Sequence, residues 1–168
     1  LLSLLIPLFL LFFTITNAQN TPKKVKLSKA DKAFVMKNYH EAEKLYKEQY
    51  SKEKNRAKKA ELIFLQAECA RNIATPIYLK KASTMYKRAI KAKYPHAEVY
   101  LRYAQVLQKQ QQYSAAIEQY EKYKTLKAND SRADFGIESC QFAMQTQQDP
   151  TRYTITPFVH NTNKEEFS

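Results

Sequence analysis

Tyr100-Leu101-Arg102-Tyr103-Ala104-Gln105-Val106-Leu107 and, a short break later, Tyr113-Ser114-Ala115-Ala116-Ile117-Glu118-Gln119-Tyr120 decide how this chain folds. In the first segment Tyr100, Tyr103, Ala104 and Leu107 recur at helical spacing; Tyr113, Ala116, Ile117, Tyr120 and Tyr123 do the same in the second. Two such stripes predict an antiparallel helical hairpin. Ala lets the two backbones approach closely, and the Tyr one turn beyond Ala116 fills the space beside the contact. Outward from here the pattern returns twice, from Ala30-Asp31 to Tyr46 and from Ala67-Glu68 to Tyr86. The first-helix anchors Ala30, Ala67 and Ala104 are 37 residues apart, and the second-helix anchors Ala42, Ala82 and Ala116 are 40 and 34 apart. A period of that length signals a solenoid of stacked hairpins. Anchor to anchor within a hairpin is 12 residues in the first and third units and 15 in the second, which predicts three residues inserted around Pro76.

The spacing of Ala104, Tyr113, Ala116 and Tyr120 resembles a tetratricopeptide repeat, whose period is about 34 residues. The turn glycine of such repeats is absent, with Gln111 in its place. The resemblance implies an all-α, right-handed α-solenoid of about three tetratricopeptide-like hairpins plus a capping helix, followed by an extended C-terminal tail. A fold of this kind does not by itself specify a function.

The 168 residues leave room for one domain. A single glycine, Gly136, in a chain that is 44% hydrophobic argues for helix almost throughout and excludes glycine-rich phosphate loops. Residues 1–18 are uncharged, largely apolar and end in Thr16-Asn17-Ala18, small residues that suit signal peptidase. They read as a secretory signal rather than a membrane anchor, because the apolar run is short and contains Pro7. Neither a Met nor a basic segment opens the run, so the natural start is expected upstream, and no Cys near the cut supports a lipid anchor. Residues 19–27 read as a flexible basic leader. Cys69 and Cys140 fall a full hairpin apart, whereas a disulfide needs Cα atoms within about 7 Å. Two buried, unpaired thiols are expected.

The net charge of +12 is unevenly placed. Thirteen Lys or Arg face five acids from Lys23 to Lys59, seven face none from Arg71 to Lys93, and from Asp130 onward six acids outnumber three bases. A basic surface interleaved with Tyr78, Tyr86 and Tyr94 has the chemistry of a nucleic-acid binder. An exported chain meets little nucleic acid, and those tyrosines have core places in the repeat, so none is expected as a partner. An acidic protein surface, anionic lipid head groups or simple solvation accounts for the charge.

Helices are expected over residues 29–36 with Ser28 as N-cap, 39 to about 54, 60–71, 78–92, the two of the third unit, and 131–145 after Asn129-Asp130. The second should bury Ala42, Leu45, Tyr46 and Gln49 and turn Glu41, Glu43, Lys44, Lys47 and Glu48 outward. The charge run 52–59 reads as a solvated helix end. The next helix should bury Leu62, Ile63, Phe64, Ala67 and Ala70. The last, amphipathic through Phe135, Ile137, Cys140, Phe142 and Ala143, would close the open end of the stack. The repeat domain is thus set at 28–146 and an extended tail at 147–168, in which residues 153–159 alternate like a strand without a partner.

His40, His96 and His160 lie far apart with no Cys or carboxylate at ligand spacing, which argues against zinc. No nucleophile, base and orienting group form a set. Glu68-Cys69-Ala70-Arg71 reads as a buried core thiol between a surface Glu and a surface Arg, not an activated nucleophile. The chain is therefore read as a non-enzyme with no cofactor.

Ala30-Asp31-Lys32-Ala33-Phe34 with Tyr39-His40-Glu41-Ala42, Ala67-Glu68-Cys69-Ala70-Arg71, Tyr103-Ala104 with Tyr113-Ser114-Ala115-Ala116, and Ile137-Glu138-Ser139-Cys140-Gln141-Phe142-Ala143 together resemble the N-terminal region of OmpA-family envelope proteins. Those proteins join tetratricopeptide repeats to a propeller and a peptidoglycan-binding end, and include type IX secretion components. Tyr153-Thr154-Ile155 and residues 161–168 resemble the start of the first propeller blade, while Ala70 departs from the family's usual aromatic. The resemblance implies a non-catalytic periplasmic scaffold associated with the outer membrane, assisting secretion or gliding, with propeller and peptidoglycan-binding domains downstream and only indirect membrane contact. Envelope proteins would bind either a concave groove lined by Phe64, Glu68, Arg71, Leu101, Gln105 and Gln108 or a basic face carrying Lys80, Lys81, Lys87 and Arg88. The alternative is a purely structural N-terminal module of a peptidoglycan-anchoring protein, with no ligand of its own.

Overall fold

Short polar side chains start the first helices. Ser28 caps α1 (Lys29–Val35) through a capping box: its hydroxyl accepts from the Asp31 N–H at 3.1 Å, and the Asp31 carboxylate accepts from the Ser28 N–H at 3.0 Å. Asn38 caps α2 (Tyr39–Lys52), Asn55 caps α3 (Arg56–Ile73), and Thr75 caps α4 (Pro76–Lys91), with Pro76 in the first turn, where its missing N–H costs nothing. Then follow α5 (Glu98–Lys109), α6 (Tyr113–Leu126) and α7 (Arg132–Gln148). The protein is described by a computed structural model over residues 27–148, and among the described residues there is no strand. The signal segment, nearly all of the leader and the strand-like part of the tail lie outside the described residues.

Among the boundaries that differ from the expectation, α7 runs to Gln148, past 145 and into the segment set as extended tail, and two others have a clear reason. Asn55 sits inside the charge run and caps α3, so the segment expected as a solvated helix end contains the first turn of the next helix. The three extra residues of the second unit do not form a loop, because only Ala74 and Thr75 separate α3 from α4. They are absorbed as helix, with Pro76, Ile77 and Tyr78 adding a turn to the start of α4. Lys37, Ala74, Lys93 and Gln111 all take left-handed backbone (φ 59 to 61°) after their helices. Gln111 thus adopts the turn conformation expected of the missing glycine, at a cost of about 1 kcal/mol.

Successive helices pack in chain order, and α5 also touches α7. One face of each first helix seats on the preceding hairpin. Leu62 and Cys69 pack with Ala42 and Tyr46, Val99 and Val106 with Ala82 and Tyr86, and Ala133 and Cys140 with Ala116 and Tyr120. These contacts recur after 37 and then 34 residues, so α7 stands where the first helix of a fourth hairpin would stand. A second face meets the helix's own partner: Ala67 and Ala70 lie against Ala82 and Tyr86, and Ala104 and Leu107 against Ala116 and Tyr120. In α7 the equivalent positions are Glu138 and Gln141, both exposed. Among the described residues α7 has no partner helix, and its polar outer face has the character of a capping element.

The same register corrects several burial expectations. Phe135 and Phe142 are 67% and 57% exposed, because the buried stripe of α7 runs through Ala133, Gly136 and Cys140. Phe64 is only half-buried. Glu43, expected on the solvent side of α2, is buried and ion-paired with Lys81 of α4, and Glu68 is buried rather than on the surface. Cys69 and Cys140 are free and buried in separate clusters.

Candidate partner-binding groove

Each hairpin is pinned on its inner side by a tyrosine hydroxyl. Tyr46 of α2 donates to Asp31 of α1 at 2.9 Å, Tyr86 of α4 donates to Glu68 of α3, and Tyr120 of α6 donates to Gln108 of α5 at 2.7 Å. All three tyrosines stand four residues after the second-helix Ala. Burial and the neighbouring Glu68 charge hold the Tyr86 hydroxyl far above its ordinary pKa. Glu68 is held a second time by Arg71, whose Nη2 lies 2.7 Å from Oε2 and whose Nε lies 3.3 Å from Oε1. Desolvation alone would lower the pKa of Arg71, but its bonds to Glu68 outweigh burial, so the guanidinium remains charged at the groove wall.

The odd-numbered helices α3, α5 and α7 line an open groove with two recesses. The first, of about 530 Å³, is walled by Arg71 from α3, Gln105, Gln108 and Lys109 from α5, Tyr113 from α6 and Ser139 from α7. Gln108 is its hub: the amide oxygen accepts from Tyr120, and Nε2 donates to the Ser139 hydroxyl at 2.9 Å. The second recess, of about 830 Å³, includes Phe64, Glu68, Tyr94, Arg102, Tyr123 and Arg132. Phe64 stacks on Tyr94 with centroids 4.5 Å apart and planes 9° from parallel. Its far wall is braced by Arg132, which reaches Asp130 and the Tyr123 hydroxyl at 2.6 Å each and Glu98 at 3.0 Å.

The structure brings Arg71, Gln105 and Gln108 together in the first recess and Phe64 and Glu68 in the second. Leu101 joins neither. It is completely buried among Tyr123, Ala133 and Cys140, because α7 folds in against α5 and covers the position that Phe64 leaves open in α3. The basic residues also separate. Lys80 and Lys87 are exposed on α4 away from both recesses, Lys81 is taken up by Glu43 and lies 5.1 Å from the Tyr78 ring centroid, and Arg88 borders a different cleft. The basic stretch from Arg71 to Lys93 is therefore two surfaces, not one. Lys109, Tyr113, Ser139, Tyr94, Arg102 and Arg132 are groove residues that sequence reasoning did not reach. Ser139 was findable, since it stands 34 residues after Gln105, itself 37 after Glu68.

Among the described residues no cluster of His, Cys, Asp and Glu could hold a metal, and no helix is long and apolar enough to cross a membrane. No protein-family model matches the chain, and no curated protein matches it in sequence. Among solved structures, the Sgt2 TPR domain from Aspergillus fumigatus is similar, with a TM-score of 0.61 over 80% of this chain and 87% of that chain at 15% sequence identity. The likeness is one of fold. The chain is a tetratricopeptide-like α-solenoid.

Proposed function

We propose that the protein is a non-catalytic interaction scaffold that holds an extended segment of a partner protein in the groove of α3, α5 and α7. The observation that carries this reading is the ladder of groove positions at the repeat spacing: Glu68, Gln105 and Ser139 in one row, Arg71 and Gln108 in the next. Amide, hydroxyl and guanidinium groups repeated along an open groove suit the evenly spaced polar groups of a peptide backbone. We further propose that the partner is an envelope protein and that the scaffold works in the periplasm at the outer membrane, as an accessory of a type IX secretion or gliding complex of the kind that contains PorE. The signal-like segment 1–18 and the OmpA-family resemblance of most of residues 28–168 support that location.

Residues 19–168, immobilised and exposed to periplasmic and outer-membrane extract, should retain a discrete partner that a Gln105→Lys/Gln108→Lys chain of unchanged helicity does not retain. Capture of nothing, or equal capture by both chains, favours the purely structural module.

A further inference from the structure

A recess of about 310 Å³ lies between α2 and α4, outside the groove, with α3 as its floor. Ile63, Tyr50 and Met85 give it an apolar patch beside Gln66, whose amide donates to the Leu62 carbonyl at 3.1 Å, and Lys47, Lys81 and Arg88 surround it. Its lone carboxylate, Glu43, is buried and committed to Lys81. Lys47 and Arg88 have no carboxylate within ion-pair distance among the described residues, and Arg88 donates to the Met85 sulfur at 3.5 Å. Lys80, Lys87 and Lys91 extend the surplus along exposed α4, on a helix that carries no acid.

We propose that this α2/α4 cleft is a second docking site, for an acidic protein segment that inserts one bulky apolar side chain between Tyr50 and Met85 and places carboxylates on Lys47 and Arg88. Charge complementarity selects an acidic occupant. Ile63, Tyr50 and Met85 favour an occupant that carries an apolar side chain among its acids, and the vesicle and oligonucleotide arms of the test separate it from acyl chains and nucleobases. Met85 is unbranched and adjusts its shape to the inserted side chain. The inference does not rest on the groove reading, since the two surfaces share no residue.

The test uses the chain 19–168 and two fluorescent peptides, each a run of Asp and Glu around a central residue, Phe in one and Ser in the other. Anionic phosphatidylglycerol vesicles and a single-stranded oligonucleotide serve as competitors. The Phe peptide should bind about tenfold more tightly than the Ser peptide. Lys47→Glu/Arg88→Glu should weaken it about tenfold or more. Lys122→Gln, exposed on α6 outside the cleft and both recesses, should leave it unchanged, so the loss on charge reversal belongs to the cleft and not to net charge. If the charge-reversed chain melts earlier, Lys47→Gln/Arg88→Gln replaces it, with the same loss expected in a smaller degree. Equal binding of the two peptides, undiminished binding by the charge variants, or tighter binding of vesicles or oligonucleotide than of the Phe peptide overturns the proposal.

Discussion

Gly136 of α7 presses against the ring of Tyr120 of α6: a β-carbon at Gly136 would lie 2.6 Å from Cε2 and closer still to Cζ. The ring cannot retreat, because its hydroxyl is bonded to Gln108 and its body is buried between α5 and α7. The chain's single glycine therefore gives up helix propensity for a close approach of the capping helix. Gly136→Ala should lower unfolding free energy by about 1–3 kcal/mol despite the better propensity of Ala. Tyr120→Leu should absorb most of that loss in the double variant. Chemical denaturation of the four chains checks this, and a more stable Gly136→Ala protein would refute the contact.

Ala82 and Ala116 have no exposed surface where second helices meet first helices. Ala82→Glu or Ala116→Glu adds volume and a buried charge, together more than about 3 kcal/mol, and should unfold the domain. Lys58→Glu loses only an exposed 2.8 Å pair with Glu61, worth at most about 1 kcal/mol, and should stay folded. Thermal melting by circular dichroism separates them. Equal melting of all three variants would remove the repeat assignment.

Burial pushes the hydroxyls of Tyr94 and Tyr120 up to about 12, and burial with Asp31 or Glu68 raises Tyr46 and Tyr86 further. The folded state therefore favours neutral phenols. That contribution to stability is complete below the unfolded value of about 10 and is lost as pH rises from there through the folded values. Tyrosinate absorbance from these rings should lag behind that of free tyrosine and rise together with loss of helical circular dichroism. Complete ionisation near pH 10 with the helices intact would contradict the burial of these rings and, for Tyr46 and Tyr86, their carboxylate pairings.

Burial, and then the charges of Glu43 and Glu68, push the Cys69 thiol up to about 12; burial also raises Cys140. Thiolate is the reactive form, so neither residue should react with an aromatic disulfide reagent in the native protein, and both should react on unfolding. Intact mass should show no internal disulfide. A bridge between them would refute the stacking order.

The hairpins are legible in the sequence because Ala30, Ala67 and Ala104, with a Tyr four residues after each second-helix Ala, mark contacts that only close-packed helices need. Helix starts are legible where the cap stands apart, as Ser28 does, and hidden where it does not: Asn55 is surrounded by Lys and Arg. Faces are harder. An aromatic at helical spacing, such as Phe135 or Phe142, fits a neighbouring helix or the open groove equally well until the 37 and 34 residue offsets are set by Cys69, Val106 and Cys140. Leu101 illustrates the reverse case, a groove position closed by the inward lean of α7, which no local pattern encodes. Glu43 is buried by an ion pair with a residue 38 positions away, also beyond local reading.

The groove itself can be tested in cells. A photo-crosslinking amino acid placed at Lys109, exposed at the first recess, should yield a discrete adduct with one envelope protein, while the same group at Glu121, exposed on α6 outside both recesses, should yield none. Absence of an adduct at Lys109, or the same adducts from both positions, would contradict the scaffold account.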